Sequence, residues 1–357
     1  MNSIGRSCRR YSPWTLVLLA WMQVATAAPA LPALTRPSLM VKVPEKSALM
    51  GATRAGNRLV AVGERGVIVY SDDQGKSWTQ GKVPTSVGLT AVQFVGAQTG
   101  WAVGHGGIVL HSRDGGATWA VQLDGHRAAK LALDAAQASG KDEAIAEAER
   151  LVADGPDKPF FDLHFSDAKN GLVVGAYNLV LRTADGGQTW TSLSHQLPNP
   201  RALHVYKVSV RGQEVLMVGE QGLVMHSNDA GASFRSLQLP YEGSFFTAEL
   251  PGQRDMVVAG MRGNAFISRD AGATWKALTV KGGAASSFQA SHVDQRGRIW
   301  LTNQAGALFR LEGDELLPVG KNLPPVTGLL LLQDELALTL SMTGARVLPL
   351  NAAGGKP

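Results

Sequence analysis

The 357-residue chain is long enough for one large domain or two ordinary ones, and its 41 glycines with only 18% charged residues suit many short strands joined by tight turns. Its formal charge of +5 falls to about +2 once Arg6, Arg9 and Arg10 leave with an N-terminal export signal, which is too little to argue for nucleic acid or an anionic membrane surface. The single cysteine, Cys8, lies in the same leader, so the mature chain draws its stability from packing and not from disulfides.

A basic start, an apolar run over residues 14–24 and the small residues Ala25-Thr26-Ala27-Ala28 predict a Sec-type signal peptide over residues 1–27, and with it a periplasmic or otherwise exported protein. Arg9-Arg10 matches twin-arginine export poorly. The apolar run is short for a spanning helix and no later stretch replaces it, so the mature protein is not expected to be transmembrane. Residues 28–44 form a linker punctuated by Pro29, Pro32 and Pro37, followed by the alternating Ser38-Leu39-Met40-Val41-Lys42-Val43. That alternation predicts a strand, spare at this terminus and available to complete the last unit of the fold.

One spelling, Ser/Thr-x-Asp-x-Gly-x-Ser/Thr-aromatic, then occurs five times. It reads Ser71-Asp72-Asp73-Gln74-Gly75-Lys76-Ser77-Trp78 first and Ser112-Arg113-Asp114-Gly115-Gly116-Ala117-Thr118-Trp119 second, and it returns around Asp185, Asp229 and Asp270. A short carboxylate at the start of a turn accepts hydrogen bonds from N–H groups that the turn leaves unpaired, and the following glycine supplies a positive φ without steric cost. The aromatic opens the next strand as a packing element repeated once per unit. Asp73, Asp114, Asp185, Asp229 and Asp270 are therefore assigned structural roles.

Each copy is preceded by Val-Gly-x-x-Gly or a close variant and an apolar strand, as in Gly100-Trp101-Ala102-Val103-Gly104-His105-Gly106-Gly107-Ile108. Two degenerate copies follow, at residues 302–306 and 340–344, with strands but no Asp-turn. Counting them predicts an all-β fold, a seven-bladed β-propeller over residues 45–350, with about forty residues and four strands per blade. The last blade shows only three strands of its own, and residues 351–357 are expected to be a disordered tail. The step from Asp114 to Asp185 is about thirty residues longer than the others. The excess, residues 126–154, is alanine-rich and predicts an α-helical hairpin between blades 2 and 3, with one helix over 128–138, a turn at Gly140, and a second helix whose Ala144, Ile145, Ala148, Leu151 and Val152 share a face.

Topology places the turns between second and third strands, and the links between blades, on the face opposite the Asp-turns. Arg65, His105, Tyr177, Glu220, Arg262 and Gln304 lie in those turns and differ in chemistry while the framework around them repeats, so they are the predicted partner-binding face. No catalytic constellation stands out. The eight histidines show no metal-ligand spacing, and Val-Gly-x-x-Gly is followed by a strand where a nucleotide loop needs a helix, so no metal and no cofactor are predicted. The expected partner is a protein, with the chain itself a monomer.

The Asp-turn is the Asp-box, or BNR, repeat also found in sialidases and other glycosidases. In combination with Val-Gly-x-x-Gly the chain more closely resembles the photosystem II stability/assembly factor family over residues 45–310. That resemblance implies an exported seven-bladed propeller that assists assembly or stability of a membrane-associated protein complex or exporter, without catalysis. It also implies an arginine-rich face that meets a newly made membrane subunit. Only Arg65 and Arg262 fill the matching Arg-Gly turn positions here, with Gly106, Tyr177 and Gln221 in the other boxed blades. The alternative is an Asp-box glycoside hydrolase of sialidase type or a carbohydrate-binding propeller; no Phe/Tyr-Arg-Ile-Pro segment near the mature N-terminus supports it.

Overall fold

The computed structural model describes residues 31–282, 285–320, 323–332 and 336–349. The expected signal peptide and the expected tail lie outside the described residues. Seven antiparallel sheets follow one another along the chain, and their first strands, Leu49–Ala55, Leu89–Val95, Phe160–Phe165, Val205–Arg211, Phe245–Glu249, Phe288–Val293 and Gly328–Leu331, stand side by side around a central channel. Five sheets have four strands in simple up-and-down order; the sixth has five, because Thr279–Val280 adds in parallel to the outer strand Glu315–Val319. This is the predicted seven-bladed propeller. Both faces of a blade are apolar, and the buried clusters fall between neighbouring blades, as where Leu172, Val174 and Val180 of blade 3 meet Val205, Met217 and Met225 of blade 4.

The Asp-box turns are built alike in all five copies. The carboxylate Oδ1 accepts the backbone N–H of the hydroxyl residue four positions on at 2.9 Å, and Oδ2 accepts that residue's hydroxyl at 2.5 to 2.6 Å. The preceding Ser or Thr hydroxyl donates to Oδ1 and accepts the glycine N–H, so Oδ1 and this hydroxyl each serve two bonds of the turn. Those glycines have φ between 80° and 90°, a region that costs other residues a steric penalty. The Trp indoles of three copies, Trp78, Trp119 and Trp190, donate back to the glycine carbonyl and lie against the neighbouring strands. Hydroxyl and N–H donors from Thr189 and Thr274 pull the carboxyls of Asp185 and Asp270 down to about 2.

Ring closure differs from the expectation. Blade 7 has three strands, Gly328–Leu331, Leu336–Ser341 and Gly344–Pro349. Residues 38–43 form no strand and do not pair with it. They lie along blade 1, where Val41 N–H donates to Gln80 Oε1 at 2.9 Å, Gln80 Nε2 donates to the Leu39 carbonyl at 3.0 Å, and Ser38 N–H donates to the Val83 carbonyl at 3.1 Å. The buried amide of Gln80 needs those partners. The alternating apolar side chains that suggested a strand face water, with Leu39 76% exposed. The ring closes instead by side-chain packing. Leu49, Leu59 and Val69 of blade 1 pack with Leu330, Leu338 and Leu340 of blade 7, and Thr327 Oγ1 donates to the Leu49 carbonyl at 2.5 Å.

The insertion is the predicted hairpin, α1 over Gly125–Ser139 and α2 over Asp142–Asp154. Asp124 caps α1 by accepting Arg127 N–H, and Gly140 turns the chain at φ 67°. Ala128, Ala132 and Ala136 of α1 and Ala148 and Leu151 of α2 are buried against Leu179, Leu181 and Trp190 of blade 3, while Val152, expected on the packed face, is exposed.

Two outcomes follow for stability. Trp101 is fully buried, its ring stacked 3.7 Å from Phe165 across the seam between blades 2 and 3, and Trp101→Ala is expected to cost about 3 to 5 kcal/mol in urea denaturation. The Asp-box carboxyls hold folded-state values below the ordinary 3.8, so the stability they contribute is complete above that value and is lost as pH falls toward about 2. Thr189→Val with Thr274→Val should flatten this acid limb, visible as a smaller difference in unfolding midpoint between pH 6 and pH 3.

Candidate partner-binding face

All six predicted face residues lie where the topology placed them, in or beside the turns between second and third strands. In five blades these turns have the mirror-image geometry of a type I′ hairpin, with positive φ at both central residues: Arg65-Gly66, Gly106-Gly107, Tyr177-Asn178, Gln221-Gly222 and Arg262-Gly263. Glycine serves at the first central position of blade 2, yet Arg65, Tyr177, Gln221 and Arg262 occupy it elsewhere at φ 50° to 57°. A side chain in this left-handed region is strained by about 1 kcal/mol or more. The geometry aims it outward, and Arg65, Tyr177 and Arg262 are exposed.

The turns are tied together in pairs. Tyr177 N–H donates to His204 Nδ1 at 3.2 Å, the rings of the two residues meet edge to face at 4.7 Å, and Glu220 Oε2 accepts His204 N–H at 3.2 Å, so Tyr177 and Glu220 meet through His204. Lys158 Nζ sits 5.7 Å from the Tyr177 ring centre. Glu64 and His105 flank Gly88, bringing the turns of blades 1 and 2 together. Arg262 N–H donates to Ser287 Oγ and Gln304 N–H to the Ser287 carbonyl, joining blades 5 and 6. His204, Lys158 and Ser287 lie in the inter-blade links or just before a first strand, where no repeated spelling marked them.

The hairpin stands on this same face. Gly125 at the start of α1 approaches so closely that a Cβ on Gly107 would lie 2.5 Å from its Cα. Beneath the hairpin, Lys141 Nζ donates to the His195 carbonyl, and burial pushes the Glu147 carboxyl up.

The channel opens at the centre of the face into a cavity of about 310 Å³ lined by first strands of all seven blades. In six of them the register slips by one residue just inside the mouth, at Met50, Thr90, Phe161, Tyr206, Phe246 and Gln289. A bulge re-aims its side chain, and here three consecutive blades present Phe161, Tyr206 and Phe246. One residue further in, Lys207 Nζ pairs with Asp162 Oδ2 at 3.1 Å. Burial works against the Lys207 ammonium, but Asp162 and Glu249 outweigh it and hold its proton above the usual lysine range. Burial pushes Glu249 up against the pull of Lys207 and Ser291, and burial and Lys207 push His292 down to about 4. None of these channel residues was singled out from the sequence; each bulge falls on the second residue of a first strand, a position that no repeated spelling marks.

Among the described residues no group of three His, Cys, Asp or Glu side chains is placed to hold a metal, and no helix is long and apolar enough to cross a membrane.

The family described as "Photosynthesis system II assembly factor YCF48" matches residues 40–147 and 141–311. The chain belongs to that family. Among Ycf48-family proteins it is 31% identical over 138 residues to the photosystem II assembly lipoprotein Ycf48 of Synechococcus sp. (strain CC9902), across 39% of this chain and 38% of that one. It is 27% identical over 142 residues to the chloroplastic photosystem II stability/assembly factor HCF136 of Oryza sativa subsp. japonica, across 37% and 34%. The alignments thus span little more than a third of these relatives' length. A solved structure described as YCF48 bound to D1 peptide superposes with a TM-score of 0.63 at 16% identity, covering 90% of this chain and 98% of that one. YCF48 from Cyanidioschyzon merolae gives 0.62 at 13% identity over 86% and 97%. The WD40 propeller domain of Doa1 gives 0.63 at 10% identity over 88% and 96%, so these superpositions speak for the propeller fold alone.

If the Ycf48-family turns carry outward-aimed side chains at a conformational cost, Arg262→Gly removes the side chain and relieves the strain together. The unfolded chain gains freedom of similar size, so stability should change by less than about 1 kcal/mol. His204→Leu should accelerate exchange of the Tyr177 amide hydrogen, read by NMR.

Proposed function

We propose that the protein is a non-catalytic, exported assembly or stability factor that holds a segment of a membrane-associated protein on the face carrying Arg65, His105, Tyr177, Glu220, Arg262, Gln304 and the helical hairpin. The observation that carries this reading is the left-handed conformation of Arg65, Tyr177, Gln221 and Arg262, side chains kept at a position where glycine fits without strain. Family membership supports an assembly role, and the named structure of a relative with a D1 peptide supports a polypeptide as the kind of client. With two arginines at the turn positions, the client contact is expected to rely on the aromatic and imidazole groups of blades 2 to 4 as well as on charge. The Asp-box carboxylates lend no support to a glycosidase, because each is engaged by several donors within its own turn.

The test is affinity capture from a membrane extract with the tagged mature chain, repeated with Arg65→Glu plus Arg262→Glu and with residues 126–154 replaced by a short loop. Recovery of a membrane protein by the parent chain and its loss in either variant supports the face. Undiminished recovery in both, with intact melting curves, rejects it.

A further inference from the structure

We propose that the mouth of the central channel binds a cationic group, an alkylammonium or guanidinium, seated against the rings of Phe161, Tyr206 and Phe246 above the carboxylates of Asp162 and Glu249. The site lies inside the ring, its lining free of Arg65 and Arg262 of the partner face, and goes beyond the assembly role.

Space comes first. On the side of blades 1 and 2 the channel wall carries Gly51, Ala52 and Ala91, and the wall opposite carries the three rings. The cavity of about 310 Å³ between them is at the small end of ligand sites, right for one small molecule or one inserted side chain. The rings form a continuous arc, with Phe161 5.2 Å and Phe246 5.4 Å from Tyr206, centre to centre. A cation within about 6 Å of an aromatic ring is drawn to the negative face of its quadrupole, an attraction that grows as water is excluded.

Charge chooses the sign of the ligand. Asp162 and Glu249 face one ammonium, Lys207, and His164 and His292 are held neutral by burial. Asp162 and Lys207 offset one another, and Glu249, whose carboxyl burial pushes up against the pull of Lys207, is the acid that an approaching cation would help to ionise. Asp162 is already satisfied by Lys207 and by Val208 N–H at 3.0 Å. Glu249 accepts from Ser291 Oγ at 2.7 Å, and among the described residues no cation lies within ion-pair distance of it. Ser291 itself lines the cavity, as does Thr247 beside it. A cation at the aromatic arc favours the ionised form of Glu249, whereas an anion there would oppose it.

The same chemistry is offered by a small organic cation and by a Lys or Arg side chain of a polypeptide. Titration calorimetry on the full mature chain would compare choline, its uncharged tert-butyl isostere, and N-acetyl-lysinamide. Choline or the lysine derivative should bind with a dissociation constant in the millimolar range or below, and the isostere at least tenfold more weakly. Tyr206→Leu and Glu249→Gln should each weaken binding at least fivefold, Tyr206→Phe should retain it, and Arg65→Glu plus Arg262→Glu should leave it unchanged, which separates this site from the partner face. Should Tyr206→Leu fail to fold, Glu249→Gln carries the comparison. Preference for the lysine derivative assigns the site to a partner's basic side chain and preference for choline to a small molecule. Absence of heat with both cations, equal binding of the isostere, or undiminished binding in folded Tyr206→Leu and Glu249→Gln overturns the proposal.

Discussion

A four-stranded sheet that is apolar on both faces cannot stand alone in water, and the rest of this molecule depends on that constraint. Each blade must be covered on both sides, so the buried clusters lie between blades and the arrangement has no ends. Large rings concentrate at these seams, Trp101 on Phe165 between blades 2 and 3 and Phe245 edge-on to Phe266 in blade 5. Circular coverage also explains why a three-stranded last blade is tolerated. What it must supply to blade 1 is an apolar face, and Leu330, Leu338 and Leu340 supply it.

The two ends of the propeller then divide the work. At one end the Asp-box turns engage their carboxylates and hydroxyls with one another and with their own backbone, leaving these groups with little to offer a ligand. At the other end a type I′ turn is closed by a backbone bond, as in Val67 N–H to the Glu64 carbonyl, so the side chain at its first central position is free to vary. The hairpin and the aromatic channel mouth open at this same end, which gathers Tyr177, His204, Phe161 and Tyr206 into one run of touching rings from rim to channel. Glu220 adds to the burial that pushes the Tyr206 phenol up, so rim and channel are also coupled electrostatically.

The blades, their number and the insertion were legible because they rest on local physics repeated many times: a turn that needs a carboxylate and a glycine, then an aromatic. The turn positions of Arg65 and Arg262 were legible for the same reason, since both sit at a fixed distance from a recognisable glycine. Residues 38–43 were misread because alternation reports side chains on opposite sides of an extended chain and says nothing about which neighbour, here the Gln80 amide, claims its backbone. α1 starts at Gly125, three residues earlier than its alanine run suggested, because the Asp124 cap extends it. The channel cluster was invisible for a different reason. Asp162, Lys207, Glu249 and His292 come from four blades, and only ring closure brings them within reach of one another.

Closure by side chains alone has a kinetic consequence. In a ring sealed by exchanged strands, the first segment of the chain is threaded into the last sheet and the termini are locked by backbone hydrogen bonds. Here the seam joins Leu49 to residues nearly three hundred positions later through methyl groups and one hydroxyl, that of Thr327. Among the described residues this contact joins positions far apart in sequence with little hydrogen bonding, so it is expected to form late in folding and to open early on unfolding. A chain emerging N-terminus first must carry blade 1 with one apolar face uncovered until blade 7 arrives, which makes that interval the aggregation-prone stage of its biogenesis.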